Sequence, residues 1–209
     1  MNRPVPEIPL VYVVDADPDA RAAVRGLLES SGLRVAEYAM AEHFLASAEP
    51  QAAACVILEV RMPGLSGLEL QDELLRRGYA VPLVFLTGHG AVRSAVAAVR
   101  KGAVDYLEKP CDDAVLIETV ERAIRLKGPA FESRTRYLSA AARTATLTQR
   151  EREVMDRVVA GKPNKLIAEE LAISVKTVEA HRARVMEKTG ADSLPGLVQI
   201  ALDAQTAAS

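Results

Sequence analysis

Five short apolar runs alternate with helix-patterned stretches through the first 127 residues, and this alternation narrows the fold more than any other feature. LVYVVD (10–15), LRVAEYA (33–39), CVILEV (55–60), VPLVFLTG (81–88) and VDYLEKP (104–110) are rich in Val, Ile and Leu and bounded by Gly or Pro, so each reads as a strand. Helical patterns over 18–31, 41–48, 66–77, 91–101 and 112–127 separate them, and Ser66 followed by Glu69 has capping-box spacing. Repeated strand–helix units predict an α/β domain with a parallel sheet wrapped by helices. Nearly continuous apolar strands suit a sheet buried on both faces.

In such a sheet, sites form in the crevice beyond the carboxyl ends of the strands. Asp15 ends the first run with Asp17 just after it, Glu59 ends the third, Thr87 the fourth, and the fifth runs into Lys109 before Pro110. Two or three carboxylates, a hydroxyl and an amine should therefore converge at one rim. That set suits phosphoryl transfer, in which acids hold Mg²⁺, one acts as acceptor, and Lys and Thr neutralise the oxygens. The plain alternative is a ring of solvated turn residues.

Residues 128–146 lose the pattern and read as a linker with some helical character. Thr148 with Glu151 has capping-box spacing, and helical segments follow over 150–160, 164–171, 175–189 and 194–204. Leu171-Ala172-Ile173-Ser174 forms a tight joint with Ser174 placed to cap the third segment, the form of a helix-turn-helix. On a wheel, Val178 and Val185 share an apolar face that packs on Leu166, Ile167 and Leu171, with Arg182 on its flank. The last segment carries Leu194, Leu197, Val198 and Ala201 at helical spacing.

Charge divides the same way. Residues 1–127 hold 14 basic against 18 acidic residues and 128–209 hold 12 against 10, so a mildly basic second part follows an acidic first. This is compatible with a C-terminal nucleic-acid module, although weak evidence alone. No stretch approaches the roughly 20 apolar residues of a membrane span, and residues 1–9 lack a signal-like apolar segment and read as disordered. Cys55 and Cys111 lack metal-motif spacing and read as unpaired thiols of a cytoplasmic protein.

The quoted runs carry a resemblance. VYVVDADPDAR (11–21), RMPGLSGLEL (61–70), FLTGHG (85–90) and GAVDYLEKP (102–110) resemble the receiver domain of two-component response regulators over residues 10–127. LTQREREVM (147–155), NKLIAEELAIS (164–174) and TVEAHRARVMEK (177–188) resemble the LuxR-type (GerE-type) DNA-binding domain from residue 147 to the end. The pair is similar to FixJ-like regulators. The resemblance implies a five-stranded, doubly wound, flavodoxin-like receiver and an all-α, four-helix helix-turn-helix domain. It implies a transcription regulator rather than an enzyme, acting on promoter DNA as a homodimer, with RNA polymerase and a sensor histidine kinase as further partners.

Carried across by position, the receiver's acidic pair reads Asp15-Ala16, its phosphoacceptor Glu59, its hydroxyl Thr87, its switch aromatic Tyr106 and its Lys-Pro Lys109-Pro110. The resemblance expects aspartates where Ala16 and Glu59 stand. One extra methylene misplaces the acceptor, and a shift of about 1 Å can cost around a hundredfold in an in-line reaction. Ala16 supplies no oxygen, so any Mg²⁺ at Asp15 and Glu59 should bind weakly, and no cofactor is expected. Three outcomes stay open: Glu59 imitates the phosphorylated state, the receiver is held off or switched by another ligand, or kinase-dependent phosphorylation persists. In the second domain, Glu179, Ala180 and Ala183 should face base edges, and Asn164, Lys165, Lys176, Thr177 and Arg184 phosphates; His181 and Arg182 contact DNA or bond within the chain. VVDADPDA also resembles the Asp-x-Asp loop of haloacid-dehalogenase-type phosphatases, but Asp19 stands where that loop needs a hydroxyl.

Overall fold

A computed structural model describes residues 8–207, and most of the segment read as disordered, residues 1–7, lies outside the described residues. The chain divides into two compact units, Met1–Thr135 and Arg136–Ser209. Among the described residues no helix is long and apolar enough to cross a membrane.

The first unit alternates β1 (Leu10–Val14), α1 (Pro18–Ser30), β2 (Arg34–Tyr38), α2 (Ala41–Ser47), β3 (Cys55–Leu58), α3 (Gly67–Arg76), β4 (Leu83–Thr87), α4 (Val92–Arg100), β5 (Asp105–Glu108) and α5 (Asp113–Leu126). All strand pairs are parallel, in the order β2-β1-β3-β4-β5. Strand side chains alternate between two cores. Val11, Val13, Ile57, Val84 and Leu86 meet α1 and α5 residues such as Leu28, Leu116 and Val120, while Tyr12, Val14, Val56, Leu58 and Phe85 meet Phe44, Leu70, Leu74 and Ala98. Each fully buried side chain of this kind contributes about 1.5–3 kcal/mol. The order places β1 beside β3 at the reversal of winding, so the ends of these two strands border the crevice.

The third strand stops at Leu58, two residues short of the predicted run, for a local reason. Glu59 N–H still reaches Val14 O at 2.9 Å, but the N–H groups of Val60 and Arg61 turn to the Glu59 carboxylate. Asp112, expected inside the fifth helix, is instead its N-cap and accepts from Ala114 N–H at 2.8 Å.

Residues 128–146, read as a linker with some helical character, are largely helical. They form α6 (Pro129–Ala145), a 17-residue helix. Pro129 is suited to a first helical turn, where its missing N–H is not needed, and the alanines after it favour helix. The second unit takes in α6 from Arg136 onward, with Arg136 paired to Asp203 at 3.3 Å and Arg152 donating to Thr144 O at 3.0 Å.

That unit continues with α7 (Gln149–Val159), α8 (Asn164–Leu171), α9 (Val175–Thr189) and α10 (Leu194–Ala207) around Val154, Val158, Ile167, Leu171, Val178, Val185 and Leu197. Leu166 does not join this core as the wheel predicted. It is 40% exposed, because Ile167 and Leu171, four apart, fill the inward face one residue round from it. In α10, Leu197 and Ala201 are buried while Leu194 and Leu202 are exposed. The α8–α9 joint turns through Ala172 at φ 53°, and Ser174 Oγ accepts from Thr177 N–H at 3.0 Å.

Glu151 holds the two ends of the unit. Thr148 and Glu151 form the predicted capping box at the start of α7, and the same carboxylate accepts from Lys188 Nζ at 2.6 Å near the end of α9. The ammonium of Lys188 and the N–H of Thr148 hold the Glu151 carboxyl at about 2, against an ordinary 4.5. A depressed native pKa stabilises the fold above pH 4.5, and that contribution is lost as pH falls toward about 2. Glu151→Gln should therefore lower stability at neutral pH by about 1.5–3 kcal/mol and flatten its dependence between pH 4.5 and 2, measured by denaturation with exchange resolved to α7 and α9.

Candidate functional site

The rim of the sheet brings together the side chains expected there. Asp15 follows β1, Glu59 follows β3, Thr87 closes β4, and Lys109 follows β5 with its N–H on Thr87 O at 2.8 Å. Asp15 is 5% exposed, Glu59 7% and Thr87 0%. Glu59 Oε1 accepts from Val60 N–H at 2.7 Å, Arg61 N–H at 3.2 Å and the Thr87 hydroxyl. Its Oε2 accepts from Gly88 N–H and Lys109 Nζ, both at 3.1 Å. Lys109 Nζ also donates to Asp15, so one ammonium bridges both acids.

These contacts decide the charge states. Burial opposes the ionised form of Glu59, but donation from Thr87, Gly88, Arg61 and Lys109 outweighs it and holds the carboxyl below its ordinary value. Burial likewise opposes the Lys109 ammonium, and Asp15 and Glu59 outweigh it, so its pKa is raised. Glu59 is therefore a carboxylate and Lys109 an ammonium at neutral pH.

Three details of the chain place Glu59. A Cβ on Gly67 would lie 2.2 Å from Glu59 O, so only glycine lets the start of α3 approach this strand end. Gly64, at φ +72°, turns the intervening loop, which Glu42 ties down by accepting from Leu65 N–H at 2.8 Å. His89 N–H donates to Thr87 Oγ1 at 3.1 Å, joining the β4–α4 loop to the same hydroxyl.

The donor set fits a divalent cation poorly. Ala16 has no oxygen to offer and packs on the core, while Asp17 Oδ1 caps α1 by accepting from Asp19 and Ala20 N–H. Among the described residues no three His, Cys, Asp or Glu side chains are grouped to hold a metal. Asp15 has one oxygen on Asp17 N–H and the other on Lys109.

Beyond the pocket, Tyr106 is half-buried, its ring 5.8 Å from that of Phe85 and its hydroxyl without a hydrogen-bond partner among the described residues. Val92, Val96 and Val99 stand at one-face spacing on α4 and are 82%, 46% and 46% exposed. The far end of that helix is fastened to α3: fully buried Gln71 donates to Ala98 O at 3.0 Å, and Lys101 pairs with Asp72 at 2.6 Å.

In the second unit, Lys176, Glu179, Ala180, Ala183 and Arg184 are exposed on α9, and Lys165 is exposed on α8. Lys165, Lys176 and Arg184 make no ion pair among the described residues. Thr177 is half-buried with its hydroxyl 2.8 Å from Ser174 Oγ. Asn164 is also half-buried, its Oδ1 accepting from Arg182 Nη1 at 2.6 Å, a bond that periodicity does not disclose. The sequence likewise gave no sign of the backbone N–H donors of Val60, Arg61 and Gly88, because a backbone donor has no residue type.

Residues 11–121 match the response regulator receiver domain, and residues 145–201 match the bacterial regulatory proteins of the luxR family. The transcriptional regulatory protein FixJ of Azorhizobium caulinodans is 44% identical over 198 residues, covering 95% of this chain and 94% of that protein. FixJ of Rhizobium meliloti is 43% identical over 192 residues, with 92% and 94% covered. The crystal structure of full-length FixJ from B. japonicum is 42% identical, covers 95% of this chain and 98% of its own, and has a TM-score of 0.54. These relatives are regulators rather than enzymes, and the chain belongs with them to the FixJ-type response regulators, a receiver domain followed by a LuxR-family DNA-binding domain.

Proposed function

We propose that this regulator binds promoter DNA with its receiver set by Glu59 rather than by phosphorylation. The observation that carries the reading is the saturation of Glu59 by five donors. Thr87, Lys109 and the N–H groups around them are the donors a phosphoryl group at this rim would need, and a carboxylate already uses them. An acid of ordinary length would end one C–C bond short of Thr87 and Gly88. The imitation is partial, because a carboxylate brings one charge and two oxygens where a phosphoryl group brings about −1.5 to −2 and three.

Through Thr87 and Gly88 the same carboxylate holds the β4–α4 loop, and the ring of half-buried Tyr106 lies 5.8 Å from that of Phe85 in β4. This supports an arrangement in which the valine row of α4 serves as a face for pairing two copies, with Leu194 and Leu202 of α10 adding to a symmetric contact on DNA. Bases are read by Glu179, Ala180 and Ala183; phosphates are held by Asn164, Lys165, Lys176, Thr177 and Arg184. The work is cytoplasmic, where the promoter and RNA polymerase are. The apolar groove between α1 and α5, lined by Ala20, Ala23, Leu27 and Leu116 and opening beside Lys109, is where a sensor histidine kinase would dock.

Two measurements test the reading. Incubated with a small phosphodonor and Mg²⁺, the protein should show no phosphoryl adduct by intact mass, while the Ala16→Asp/Glu59→Asp variant should gain one; stoichiometric modification of Glu59 itself would refute phosphorylation independence. Glu59→Ala releases Thr87 and Lys109 together and should weaken self-association and DNA affinity by about 5- to 150-fold, the usual range of coupling between sites. Tighter binding by Glu59→Ala would show instead that Glu59 holds the receiver off, and equal binding that Glu59 does not set the DNA-binding state.

A further inference from the structure

Arg182 lies at the border of α9, on the flank of the buried Val178–Val185 face and beside exposed Glu179 and Ala183, and it is half-buried. Its guanidinium reaches back to the preceding helix. Nη1 donates to Oδ1 of Asn164, the first residue of α8, at 2.6 Å. A guanidinium can only donate, so it accepts one orientation of the Asn164 amide, with the oxygen inward. The NH₂ group is thereby turned the opposite way, and among the described residues it has no hydrogen-bond partner.

The surroundings suit an acceptor from outside. Pro163 precedes Asn164 and makes no side-chain cap, and the first intrahelical bond of α8 runs from Ile167 N–H to Pro163 O. The N–H groups at this end are left without a side-chain acceptor, and exposed, unpaired Lys165 stands next to them. If the amide were free to rotate, half of its orientations would present a carbonyl oxygen to a DNA phosphate.

We infer that Arg182 is a positioning residue for DNA binding: it locks the Asn164 amide so that both amide N–H groups face a backbone phosphate, without itself touching DNA. The inference rests on the reading of Asn164 as a phosphate contact. It joins the two helices of the helix-turn-helix through one polar bond, so the α8 donor is set by the helix that reads the bases.

The test is a double-mutant cycle on the full chain, with a duplex selected from a random library by the wild-type protein and an unrelated duplex as probes. Arg182→Met and Asn164→Ala should each weaken binding to both probes about tenfold, the scale of one hydrogen bond to a charged group. The double variant should bind no worse than Asn164→Ala alone. Asn164→Asp, which keeps the Arg182 bond and loses the donors, should bind at least as weakly as Asn164→Ala. The salt dependence of Arg182→Met should match that of wild type. Losses that multiply in the double variant, with the slope of log affinity on log salt reduced by about 0.9, would make Arg182 a direct phosphate contact and overturn the inference. If Asn164→Ala is harmless, the reading of Asn164 as a DNA contact fails; if Asn164→Ala is harmful and Arg182→Met is not, the positioning role alone fails. Arg182→Lys, which keeps the charge and aliphatic stem but loses the fork, replaces Arg182→Met if that variant does not fold.

Discussion

One carboxylate organises the receiver. Glu59 takes donors from its own following backbone, from β4 through Thr87 and Gly88, and from beyond β5 through Lys109, which Asp15 after β1 shares. Four strand ends are thereby tied at a single polar centre, at the rim of a sheet packed between two apolar cores. A hydrogen bond to a charged group is worth more than a neutral one, and a buried carboxylate left short of donors would be costly. The length of the side chain is what permits this arrangement. With its backbone held to Val14 O and packed against Gly67, an acid here has a fixed origin, and the additional methylene carries its oxygens into the cleft between β3 and β4.

The same device recurs in the DNA-binding unit. Glu151 satisfies the Thr148 cap and takes the Lys188 ammonium, so α7 and α9 share one charge. Arg182 and Asn164 do likewise for α8 and α9. In each case apolar packing sets the distance between elements, and a hydrogen bond to a charged group sets their register. Packing alone tolerates small slides; a bond with one allowed geometry does not.

How much of this could be read in the chain depends on which physical signal carried it. The five strands were legible because a sheet buried on both faces needs continuous apolar runs, and both capping boxes were legible because their spacing is fixed by one helical turn. Asp15, Glu59, Thr87 and Lys109 were legible as a group because each closes a strand of a parallel sheet. The helix over 129–145 was understated: Gly128-Pro129 looked like a break, yet proline is tolerated at a helix start, and the alanines after it carry no periodic apolar face to advertise the helix. Leu166 was misplaced because an apolar residue was assumed to face inward, although Ile167 and Leu171 already fill that side. The Asn164–Arg182 bond spans 18 residues and joins two polar side chains, and no local pattern encodes such a pair.

The alanine at position 16 and the glutamate at position 59 are best understood together, through the charge of the pocket. Three buried carboxylates against one ammonium would leave an excess that only a divalent cation could balance, since like charges at close range disfavour joint ionisation. With alanine at 16, two acids face Lys109, and backbone N–H groups with the Thr87 hydroxyl take up the remaining carboxylate oxygen of Glu59. Asp17, one residue on, caps α1. The charge at 59 is met from within the chain, by backbone N–H groups on one side and by Thr87 and Lys109 on the other, and because Gly88 is among those donors the β4–α4 loop is held by the same carboxylate.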